Sequence, residues 1–458
     1  MPIVAHLVIV AGGMGSRLSA VAGDLPKVLV LVGGKPVLQH QLELAVKNGI
    51  HDVTIFAGHL ADKISTFVGD GSKFGLRVRV LVEREPLGNA GAVLQFLDSL
   101  PESFFVVYGD VMLGVDLERM ALEHLKHDAD FTAMVHPNDH PFDSDLIETN
   151  HLGWVTALHL CPHPPDSSFA NLVNAALYIV RRDALRPWAS LLGKIDFVKD
   201  IMTGLLTRDA KVLAYRSYEY AKDMGTPDRL RKVEADWQAG KIVALSENPL
   251  TPAVLFDRDG TLNVEKGFLR SPDDLELFPD IAQSLIVLRK AGFRLVIVTN
   301  QPVIARGEAS EADVAAIHRR LEWQLGLQGA YLDAFYHCPH HPDAGFPGER
   351  PDLKVPCRCR KPEIGMVESA RRELQIDLSG SWMVGDRTVD VEMARRAGLR
   401  SILVATGAGG RDGKYDEKPD FTVANMQEAV LVILAKHSLP VGHPTQTLHA
   451  GNSSKVAA

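Results

Sequence analysis

The sequence predicts an α/β protein with two domains in series. Short β-branched runs alternate with helical segments from residue 3 to about residue 235, and the same alternation restarts at Ala253. The intervening segment from Gly240 to Pro252 is polar and carries two prolines, which is typical of a domain boundary. With 458 residues the chain is long enough for more than one core. We therefore expect domains at residues 1–238 and 253–438, a linker at 239–252 and a disordered tail without periodicity at 439–458.

Strand-like runs define a sheet in each predicted domain. In the first domain they fall at residues 8–11, 53–57, 78–83, 104–108, 131–136 and 175–180. In the second domain they fall at residues 254–256, 295–299, 334–337, 382–384 and 401–404. Strands that alternate with helices favour sheets of mainly parallel strands. No internal repeat relates the two halves, so the domains are expected to be unlike.

Composition limits the classes of function. The hydrophobic fraction of 46% and the charged fraction of 23% are those of an ordinary soluble protein. A formal charge of -8 argues against a general binder of nucleic acid or of anionic membranes. No apolar run approaches the roughly 18 residues of a membrane span, and the first residues lack a secretory signal pattern. We expect a cytoplasmic protein that acts on small molecules, and its oligomeric state is left open.

A glycine-rich turn follows the first predicted strand. It contains Gly12, Gly13 and Gly15, and the cationic side chains of Arg17 and Lys27 follow. Glycines let backbone amides approach phosphate oxygens, and the two cations add charge-assisted donors. The glycines alone would also fit a tight turn without a ligand. With both cations at these positions, the pattern predicts a cradle for a nucleotide triphosphate.

Asp110 ends the segment 108–110, and Asp223 begins the segment 223–227. Both segments resemble the metal-aspartate blocks of the sugar nucleotidyltransferase family, which implies that the two aspartates hold Mg²⁺. Taken singly, the first could be a turn residue and the second a helix cap. Two carboxylates that converge on Mg²⁺ would instead bridge a triphosphate.

These blocks together resemble the sugar nucleotidyltransferase family over about residues 3–235. The family has a Gly-Gly-x-Gly-x-Arg-Leu loop followed by a Pro-Lys pair, and a second glycine loop like the one here at Gly88. The resemblance implies Mg²⁺ at Asp110 and Asp223, and sugar contacts at Asn174. It implies that NTP and a sugar 1-phosphate give an NDP-sugar and pyrophosphate. Glu83, just before the second glycine loop, favours guanine over adenine, because a carboxylate suits the adjacent N–H donors of guanine.

One block departs from this family. Many members have a Glu-Lys-Pro block before the strand that contains the asparagine, whereas residues 158–163 here are Leu-His-Leu-Cys-Pro-His. Sugar contacts cannot be transferred at that point. Asp143 and Asp145 are alternative acceptors for sugar hydroxyls, and a solvated loop explains them equally well.

The second domain opens with two carboxylates, Asp257 and Asp259, directly after an apolar run. The carboxyl edge of a parallel sheet is where α/β proteins bind ligands. One acid can attack a phosphorus atom while the other moves protons, which is the logic of transfer through an aspartyl phosphate. A carboxylate attacks an anionic phosphate only where nearby cations reduce the repulsion. An Asp-Gly turn without chemistry is the alternative.

Further motifs complete a resemblance to the haloacid dehalogenase-like phosphatases over about residues 253–435. They are the strand end at residues 299–301, residues 360–362, and residues 385–387 with Asp390 beyond. By this resemblance Asp257 is the nucleophile, and Asp259 protonates the leaving oxygen and then activates water. Thr299 and Lys361 hold the phosphoryl group, with Asn300 beside them. Asp386 joins Asp257 and the backbone carbonyl of Asp259 around Mg²⁺.

Three of the four cysteines lie within one short region of this domain. Cys338, Cys357 and Cys359, with His340, form a set suited to a closed tetrahedral zinc site. His341 is the competing imidazole ligand, and a chance grouping of buried cysteines is the alternative. A zinc ion here would be structural and would fix the loop that carries Lys361.

Within its superfamily, the second domain resembles the D-glycero-D-manno-heptose 1,7-bisphosphate phosphatases. The metal loop, residues 257–263 and the Ile-Ala-Arg-Gly segment at 304–307 carry this resemblance. Pro302 and Val303 depart from the Ser-Gly common in those enzymes, and the histidinol-phosphate phosphatases share the metal loop. The candidates for binding a second phosphate are Arg306, Arg360 and Arg387, each of which could also be a surface charge.

The two resemblances imply two Rossmann-like domains in series. The first is a nucleotidyltransferase mixed sheet with flanking helices, and the second a haloacid dehalogenase-like parallel sheet with a zinc loop. We expect a bifunctional enzyme that makes an NDP-heptose, of which GDP-D-glycero-α-D-manno-heptose is the favoured product. The same chemistries on another phosphorylated sugar, or one domain acting as a ligand sensor, are the alternatives.

Overall fold

The computed structural model describes residues 3–13, 18, 23–83, 85–164, 167–191, 193–247 and 250–437. Gly15 and Arg17 of the predicted triphosphate cradle lie outside the described residues. The predicted tail at 439–458 does so as well.

A mixed sheet forms the centre of the first domain. Over the described residues its strand order is β12-β8-β11-β6-β1-β4-β5, with β9 joined to β11 and β10 to β9. β11 runs antiparallel to β6 and β8, while β1, β4, β5 and β6 are parallel to one another. The carboxyl ends of β1, β6, β8 and β12 therefore meet at one edge of the sheet. The strands of this domain are β1 (His6–Ala11), β2 (Leu31–Val32), β3 (Lys35–Pro36), β4 (Asp52–Ala57), β5 (Arg77–Val82), β6 (Ser103–Tyr108), β7 (Val111–Gly114), β8 (Phe131–His136), β9 (Leu146–Thr149), β10 (Val155–His159), β11 (Val173–Arg181), β12 (Val212–Arg216) and β13 (Tyr220–Asp223).

Helices cover both faces of this sheet, so its central strands are apolar on both sides. In β1, Leu7 and Ile9 belong to one apolar cluster and Val8 to the other. That alternation is the period-2 geometry of a strand buried between two layers. The α-helices are Val37–Lys47, Ala61–Val68, Gly88–Gln95, Leu117–Lys126, Arg182–Leu185, Thr203–Leu206, Pro227–Gln238 and Lys241–Glu247, and a π-helix spans Phe197–Met202.

The second domain contains a parallel sheet whose six described strands are ordered β16-β15-β14-β17-β18-β19. In β14, Val254 and Phe256 face one apolar cluster, and Ala253 and Leu255 face the other. Asp257, Gln301 and Asp386 follow β14, β15 and β17, so the topology gathers them at one edge. The strands are β14 (Thr251–Phe256), β15 (Arg294–Asn300), β16 (Ala334–Cys338), β17 (Ile376–Gly385), β18 (Arg400–Val404) and β19 (Phe421–Val423); the α-helices are Ile281–Lys290, Glu311–Gly326, Gly365–Leu374, Thr388–Ala397 and Met426–Lys436.

The segment 239–252, predicted as a linker, contains regular secondary structure. Helix Lys241–Glu247 lies within the segment 239–252, and its Ile242 is buried in an apolar cluster of the first domain that includes Val233. β14 begins at Thr251, inside the same segment. Ile242 packs with Met112 of β7, Tyr220 of β13 and Val233 of helix Pro227–Gln238, and this burial explains the helix within a segment of polar composition.

Among the helices that the structure describes, none combines the length and the apolar character needed to cross a bilayer.

Candidate active sites

The predicted nucleophile of the second domain lies beside a buried cation. Asp257 is buried after β14, and the Nζ atom of Lys361 lies 3.0 Å from its Oδ1. The same Nζ lies 2.6 Å from Oδ1 of Asp390. Burial alone would lower the pKa of Lys361, but the two carboxylates outweigh burial and raise it. Lys361 therefore stays charged next to the oxygen that would attack a phosphate.

The end of β15 holds the loop that carries Lys361. The side-chain amide of Asn300 donates to the carbonyl of Lys361 at 3.2 Å, and its Oδ1 accepts the Lys361 backbone N–H at 3.0 Å. The buried Thr299 hydroxyl accepts a 3.0 Å hydrogen bond from the Gln301 amide. The structure thus gives Asn300 a positioning role, and its predicted contact with substrate stays a prediction.

Asp259, the predicted acid and base, is held by a separate set of donors. The fully buried guanidinium group of Arg258 donates to both of its carboxylate oxygens, at 3.1 and 2.8 Å. The amides of Gln301 and Asn263 donate to the same carboxylate at 2.9 and 3.1 Å. Burial raises the pKa of Asp259, but the charge and hydrogen bonds of Arg258 outweigh burial and lower it. This arrangement favours the ionised form, which can act as a base toward water.

Three carboxylates at this edge could hold a metal ion. Ligand atoms of Asp257, Asp386 and Asp390 lie within 4.8 Å of one another. Both oxygens of Asp390 are already engaged, because Oδ1 contacts Lys361 and Oδ2 accepts the backbone N–H of Arg387 at 3.1 Å. In contrast, Oδ1 of Asp386 is buried and has no hydrogen-bond partner within the described residues. Asp257 and Asp386 therefore fit a hard divalent cation, and Asp390 orients the lysine.

The environment of Asp386 supports the same fit. Burial, and then the charge of Asp257, raise the pKa of Asp386 to about 8. A buried carboxylate with an unpartnered oxygen is costly unless a proton or a cation neutralises it. Mg²⁺ prefers carboxylate oxygens as protein ligands and would supply that charge.

A glycine makes the close approach of Asp386 possible. Gly260 has φ of +78°, in the left-handed region, and a Cβ on it would lie 2.5 Å from Oδ2 of Asp386. The carbonyl of Gly260 accepts a 2.7 Å hydrogen bond from the Thr406 hydroxyl, and the Ala408 N–H donates to the same Asp386 oxygen at 2.6 Å. Gly260 is thus fixed against the carboxylate that would bind the metal.

The three arginines predicted at a second phosphate differ in their surroundings. The Arg306 guanidinium carbon lies 4.5 Å and 4.2 Å from the ring centroids of Phe268 and Phe346, and its buried Nε lacks a partner among the described residues. The Arg360 side chain donates to the His340 carbonyl at 3.0 Å. The Arg387 side chain donates to Glu265 at 2.6 Å. The geometry therefore favours Arg306 among the three.

The predicted zinc ligands come together near this site. Ligand atoms of Cys338, His340, Cys357 and Cys359 lie within 4.8 Å of one another. The Sγ atoms are 3.3 to 3.5 Å apart, and Nδ1 of His340 is 3.3 Å from Sγ of Cys359. The competing imidazole of His341 instead accepts the Asp343 N–H at 3.2 Å. Three thiols and one imidazole fit a closed zinc site. One of these thiols, Cys359, lies two residues before Lys361.

In the first domain the described part of the predicted cradle lies at the edge where β1 and β6 end. Gly12 and Gly13 follow β1, and Nζ of Lys27 lies 3.4 Å from Oδ2 of Asp110. Asp223 ends β13, which pairs with β7, and the Met224 N–H donates to the Asp110 carbonyl at 2.9 Å. The fold thus brings the two predicted metal aspartates to the same end of a two-stranded ribbon. Their joint binding of Mg²⁺ stays a prediction.

Arg229 is a partner that the sequence did not reveal. Its guanidinium group donates to both oxygens of Asp223, at 2.8 and 3.0 Å. The only sign of this pairing in the sequence was that Arg229 follows Asp223 by six residues, across a strand end and into helix Pro227–Gln238. Arg229 therefore pairs with Asp223 in this structure, and Asp223 would have to release an oxygen from this pair to bind Mg²⁺.

Glu83 lies between the two glycine loops. A Cβ on Gly12 would overlap Oε1 of Glu83, and Oε2 of Glu83 accepts the Leu87 N–H at 3.4 Å, one residue before Gly88. Oε1 is buried and has no partner within the described residues. Burial raises the pKa of this carboxyl. An acceptor without a partner is thus available where a nucleotide base is expected.

The side chains predicted at the sugar are engaged in hydrogen bonds. The Asn174 amide donates to the Tyr178 hydroxyl at 2.6 Å, and its Oδ1 accepts the Ala176 N–H at 3.2 Å. Oδ1 of Asp143 lies 2.8 Å from Nδ1 of His140, and Oδ1 of Asp145 accepts the Cys161 N–H at 2.9 Å. These hydrogen bonds fix the local backbone, and the sugar contacts of these residues stay predictions.

Comparisons with known proteins agree with both halves of this description. The Nucleotidyl transferase family matches residues 6–240, and the HAD-hydrolase-like family matches residues 358–429. D-glycero-β-D-manno-heptose-1,7-bisphosphate 7-phosphatase from Photorhabdus laumondii is 40% identical over 190 residues, which cover 41% of this chain and 93% of that protein. Two solved structures are also similar. HddC from Yersinia pseudotuberculosis has 24% identity and a TM-score of 0.45, covering 51% of this chain and 99% of its own. D,D-heptose 1,7-bisphosphate phosphatase from B. bronchiseptica, complexed with magnesium and phosphate, has 32% identity and a TM-score of 0.36, covering 41% and 99%.

Proposed function

Because the chain belongs to the nucleotidyl transferase family in its first half and to the D-glycero-β-D-manno-heptose-1,7-bisphosphate 7-phosphatase family in its second, we propose that it catalyses two consecutive reactions. The second domain removes the 7-phosphate of a heptose 1,7-bisphosphate. The first domain joins the resulting heptose 1-phosphate to a nucleotide, with GTP as the favoured donor, and releases pyrophosphate. The 40% identity of the second half to a heptose-bisphosphate phosphatase, beside a nucleotidyl transferase first half, supports this proposal, because the product of one reaction would be the substrate of the other.

In the phosphatase reaction, a carboxylate oxygen of Asp257 attacks the phosphorus of the 7-phosphate. The bond between that phosphorus and the C7 oxygen breaks, and the oxygen takes a proton from Asp259. The doubly negative phosphate opposes the effect of Arg258 and favours the protonated form of Asp259 when substrate is bound. Asp259, ionised after the transfer, then takes a proton from the water that cleaves the aspartyl phosphate. Lys361 and Thr299 hold the transferring oxygens.

Two metal ions fit the donors of this domain. Mg²⁺ at Asp257 and Asp386 would neutralise phosphate charge during the attack. Zn²⁺ at Cys338, His340, Cys357 and Cys359 would be structural, because the four protein ligands leave no position for water. The phosphate that does not react is held by Arg306, whose Nε has no other described partner.

In the nucleotidyl transfer, a phosphate oxygen of the heptose 1-phosphate attacks the α-phosphorus of the NTP. The bond between the α-phosphorus and the bridging oxygen breaks, and pyrophosphate leaves with the electron pair. Arg17 and Lys27 would contact the triphosphate, and Mg²⁺ at Asp110 and Asp223 would neutralise its charge. Positioning and charge neutralisation account for most of the catalysis in this class of reaction.

Glu83 supports guanine as the base. Its Oε1 is buried without a described partner, and a carboxylate can accept the adjacent N–H donors of guanine. Adenine offers an acceptor nitrogen beside its amino group, so one carboxylate oxygen would face an acceptor. We expect Glu83→Gln to lower kcat/KM for GTP more than for the other nucleotides.

The anomer is the open choice within this proposal. The name of the Photorhabdus laumondii relative specifies the β-anomer, whereas the product favoured by the sequence is the α-linked GDP-heptose. Both anomers therefore belong in the test.

The proposal is tested by incubating the full chain with α- or β-heptose 1,7-bisphosphate, Mg²⁺ and each NTP. Phosphate and pyrophosphate are followed separately. We expect phosphate in every reaction and pyrophosphate with one NTP. Asp257→Asn should abolish phosphate release from the bisphosphate, and Asp110→Ala should abolish pyrophosphate release. Phosphate without pyrophosphate under every NTP and both anomers would overturn the bifunctional assignment.

A further inference from the structure

The phosphatase domain contacts the nucleotidyltransferase domain next to the predicted sugar site. The contact is made by the carboxy-terminal half of helix Glu311–Gly326, which we name the bridging helix. Trp323 of this helix is buried and lies 6.0 Å from the ring of Phe169 and 5.8 Å from that of His163. Three residues later, Gly326 packs so closely on Pro141 that a Cβ on the glycine would overlap the proline ring. The bridging helix therefore packs on Pro141, His163 and Phe169 of the first domain.

A polar contact extends this interface toward Asn174. Glu322 of the bridging helix is buried, and its Oε2 accepts the backbone N–H of Asn171 at 3.4 Å. The side chain of Asn171 makes two hydrogen bonds to the backbone of Asn138. Its Oδ1 accepts the Asn138 N–H at 3.1 Å, and its Nδ2 donates to the Asn138 carbonyl at 2.7 Å. Asn171 precedes β11 by two residues, and Asn174 is the second residue of β11. The second domain thus fixes the backbone that leads into the predicted sugar residue.

A second contact lies nearby. The Tyr218 hydroxyl, just after β12, donates to the Asp333 carbonyl at 3.0 Å. The Arg294 side chain donates to the Tyr218 carbonyl at 3.2 Å, and the Tyr218 ring packs against a core cluster of the second domain. The interface therefore has two separate regions that oppose rotation of one domain on the other.

The topology places both regions at the catalytic edge of the first sheet. Residues 137–145 follow β8 and residues 217–218 follow β12, and both strands end at the edge where β1 and β6 end. In the second sheet, Arg294 begins β15 and Asp333 precedes β16, so the contact there lies at the edge opposite Asp257. The phosphatase domain thus meets the first active site with the side that does not carry its own.

We propose that the phosphatase domain serves as a wall of the sugar end of the nucleotidyltransferase site, and that Glu322 is a positioning residue for the segment that leads to Asn174. This inference depends on the proposed function of the first domain. The bridging helix would then also support the binding of the sugar 1-phosphate by the first domain, which is separate from phosphate hydrolysis in the second.

A wedge variant of the full chain tests the wall. Gly326→Val places a branched side chain where Pro141 lies and forces the bridging helix away from the first domain. We expect the KM for heptose 1-phosphate to rise about tenfold, since misplacement by about 1 Å can cost up to about a hundredfold. The KM for the NTP and the kcat/KM of the phosphatase should stay within about twofold. Ala312→Val adds a side chain on the exposed first turn of the same helix and should change none of these values.

Variants at Glu322 separate positioning from general loss of structure. Glu322→Ala removes the acceptor of the Asn171 N–H and should raise the KM for heptose 1-phosphate about threefold to tenfold. Glu322→Gln keeps an acceptor oxygen at the same place and should restore a KM close to that of the wild type. Retained phosphatase activity in each variant shows that the second domain is folded.

The following results distinguish a failure of the proposed function from a failure of the wall. If the wild type releases no pyrophosphate with any heptose 1-phosphate, the proposed function of the first domain is wrong. If the wild type is active and both Gly326→Val and Glu322→Ala keep its KM for heptose 1-phosphate, the wall is refuted. An equal rise of the KM for heptose 1-phosphate and the KM for the NTP would also refute the wall, because the effect would then not be confined to the sugar end.

Discussion

Replacement of Gly260 by alanine is expected to lower the activity of the phosphatase strongly while the domain remains folded. A Cβ at this position would lie 2.5 Å from Oδ2 of Asp386 and 2.8 Å from its Cγ. Real Cβ atoms essentially never approach a heavy atom within 3.0 Å, so the carboxylate must shift by about half an ångström or more. Since misplacement by about 1 Å can cost up to about a hundredfold in rate, we expect kcat to fall roughly thirtyfold to a hundredfold. That loss corresponds to about 2 to 3 kcal/mol of transition-state stabilisation.

The chain offers a matched control for the backbone strain. Gly267 has φ of +79°, nearly the same as the +78° of Gly260, but a Cβ on Gly267 would meet no atom within 4 Å. Alanine in this left-handed conformation costs roughly 1 to 2 kcal/mol at either position. Each kcal/mol corresponds to a fall of about 2 to 4 °C in Tm for a domain of this size. Both variants should therefore lose this much stability, Gly260→Ala should lose more because its Cβ also crowds Asp386, and only Gly260→Ala should lose phosphatase activity.

The assay measures phosphate release over a range of Mg²⁺ concentrations, with thermal unfolding of both variants recorded in the same buffer. We expect Gly260→Ala to need more Mg²⁺ for half-maximal activity, because Asp386 is a proposed ligand. Pyrophosphate release by the first domain should be unchanged in both. If Gly260→Ala keeps phosphatase activity within about threefold of Gly267→Ala, the close approach to Asp386 does not control catalysis and the reasoning is refuted.

Three further predictions concern stability, zinc content and phosphatase kcat. Burial raises the pKa of Glu322 from 4.5 to about 7, although the charge of Arg216 and the Asn171 N–H oppose this shift. The contribution of Glu322 to the free energy of unfolding is therefore full below pH 4.5 and is lost as the pH rises to about 7. Glu322→Gln should remove this slope, up to about 3 kcal/mol, in thermal unfolding between pH 5 and 8, and an unchanged slope would contradict the assignment. Cys357→Ser should lower the zinc content of the purified chain and its phosphatase activity while pyrophosphate release persists; unchanged zinc content would exclude this ligand. Asp390→Asn should lower phosphatase kcat about tenfold or more by releasing Lys361, and a change in the KM for the bisphosphate alone would argue against that role.

The strands and the phosphatase motifs could be predicted from the sequence because their signals are local. β14 and β15 are apolar on both faces, and Asp257 follows one of them directly, so chain order alone places it at a sheet edge. The Cys/His cluster was predictable for a related reason. Its four residues form two pairs, each separated by a single residue, and the fold brings His340 rather than His341 to the three cysteines.

Other features depend on contacts between distant segments, which local patterns do not show. Asp390 carries no local sign that it pairs with Lys361, which is 29 residues away. Asn300 looked like a substrate ligand, and only the fold reveals that its amide is occupied by the Lys361 backbone. Glu322 lies in a helix with ordinary amphipathic spacing, so its burial against another domain could not be foreseen.

The edge-to-edge arrangement of the domains has a consequence for the intermediate. The interface contacts β15 at Arg294, and the phosphatase site lies beyond Asn300 at the other end of this seven-residue strand, about 20 Å away at 3.3 Å per residue. In the proposed reaction sequence, we therefore expect heptose 1-phosphate formed at Asp257 to pass through bulk solvent before it reaches the first domain. Unlabelled heptose 1-phosphate added to the medium would dilute a label carried by the bisphosphate before it reaches the NDP-sugar. What the fusion guarantees is equal numbers of the two catalysts in the cell, while the compound that passes between them remains open to capture by any competing enzyme.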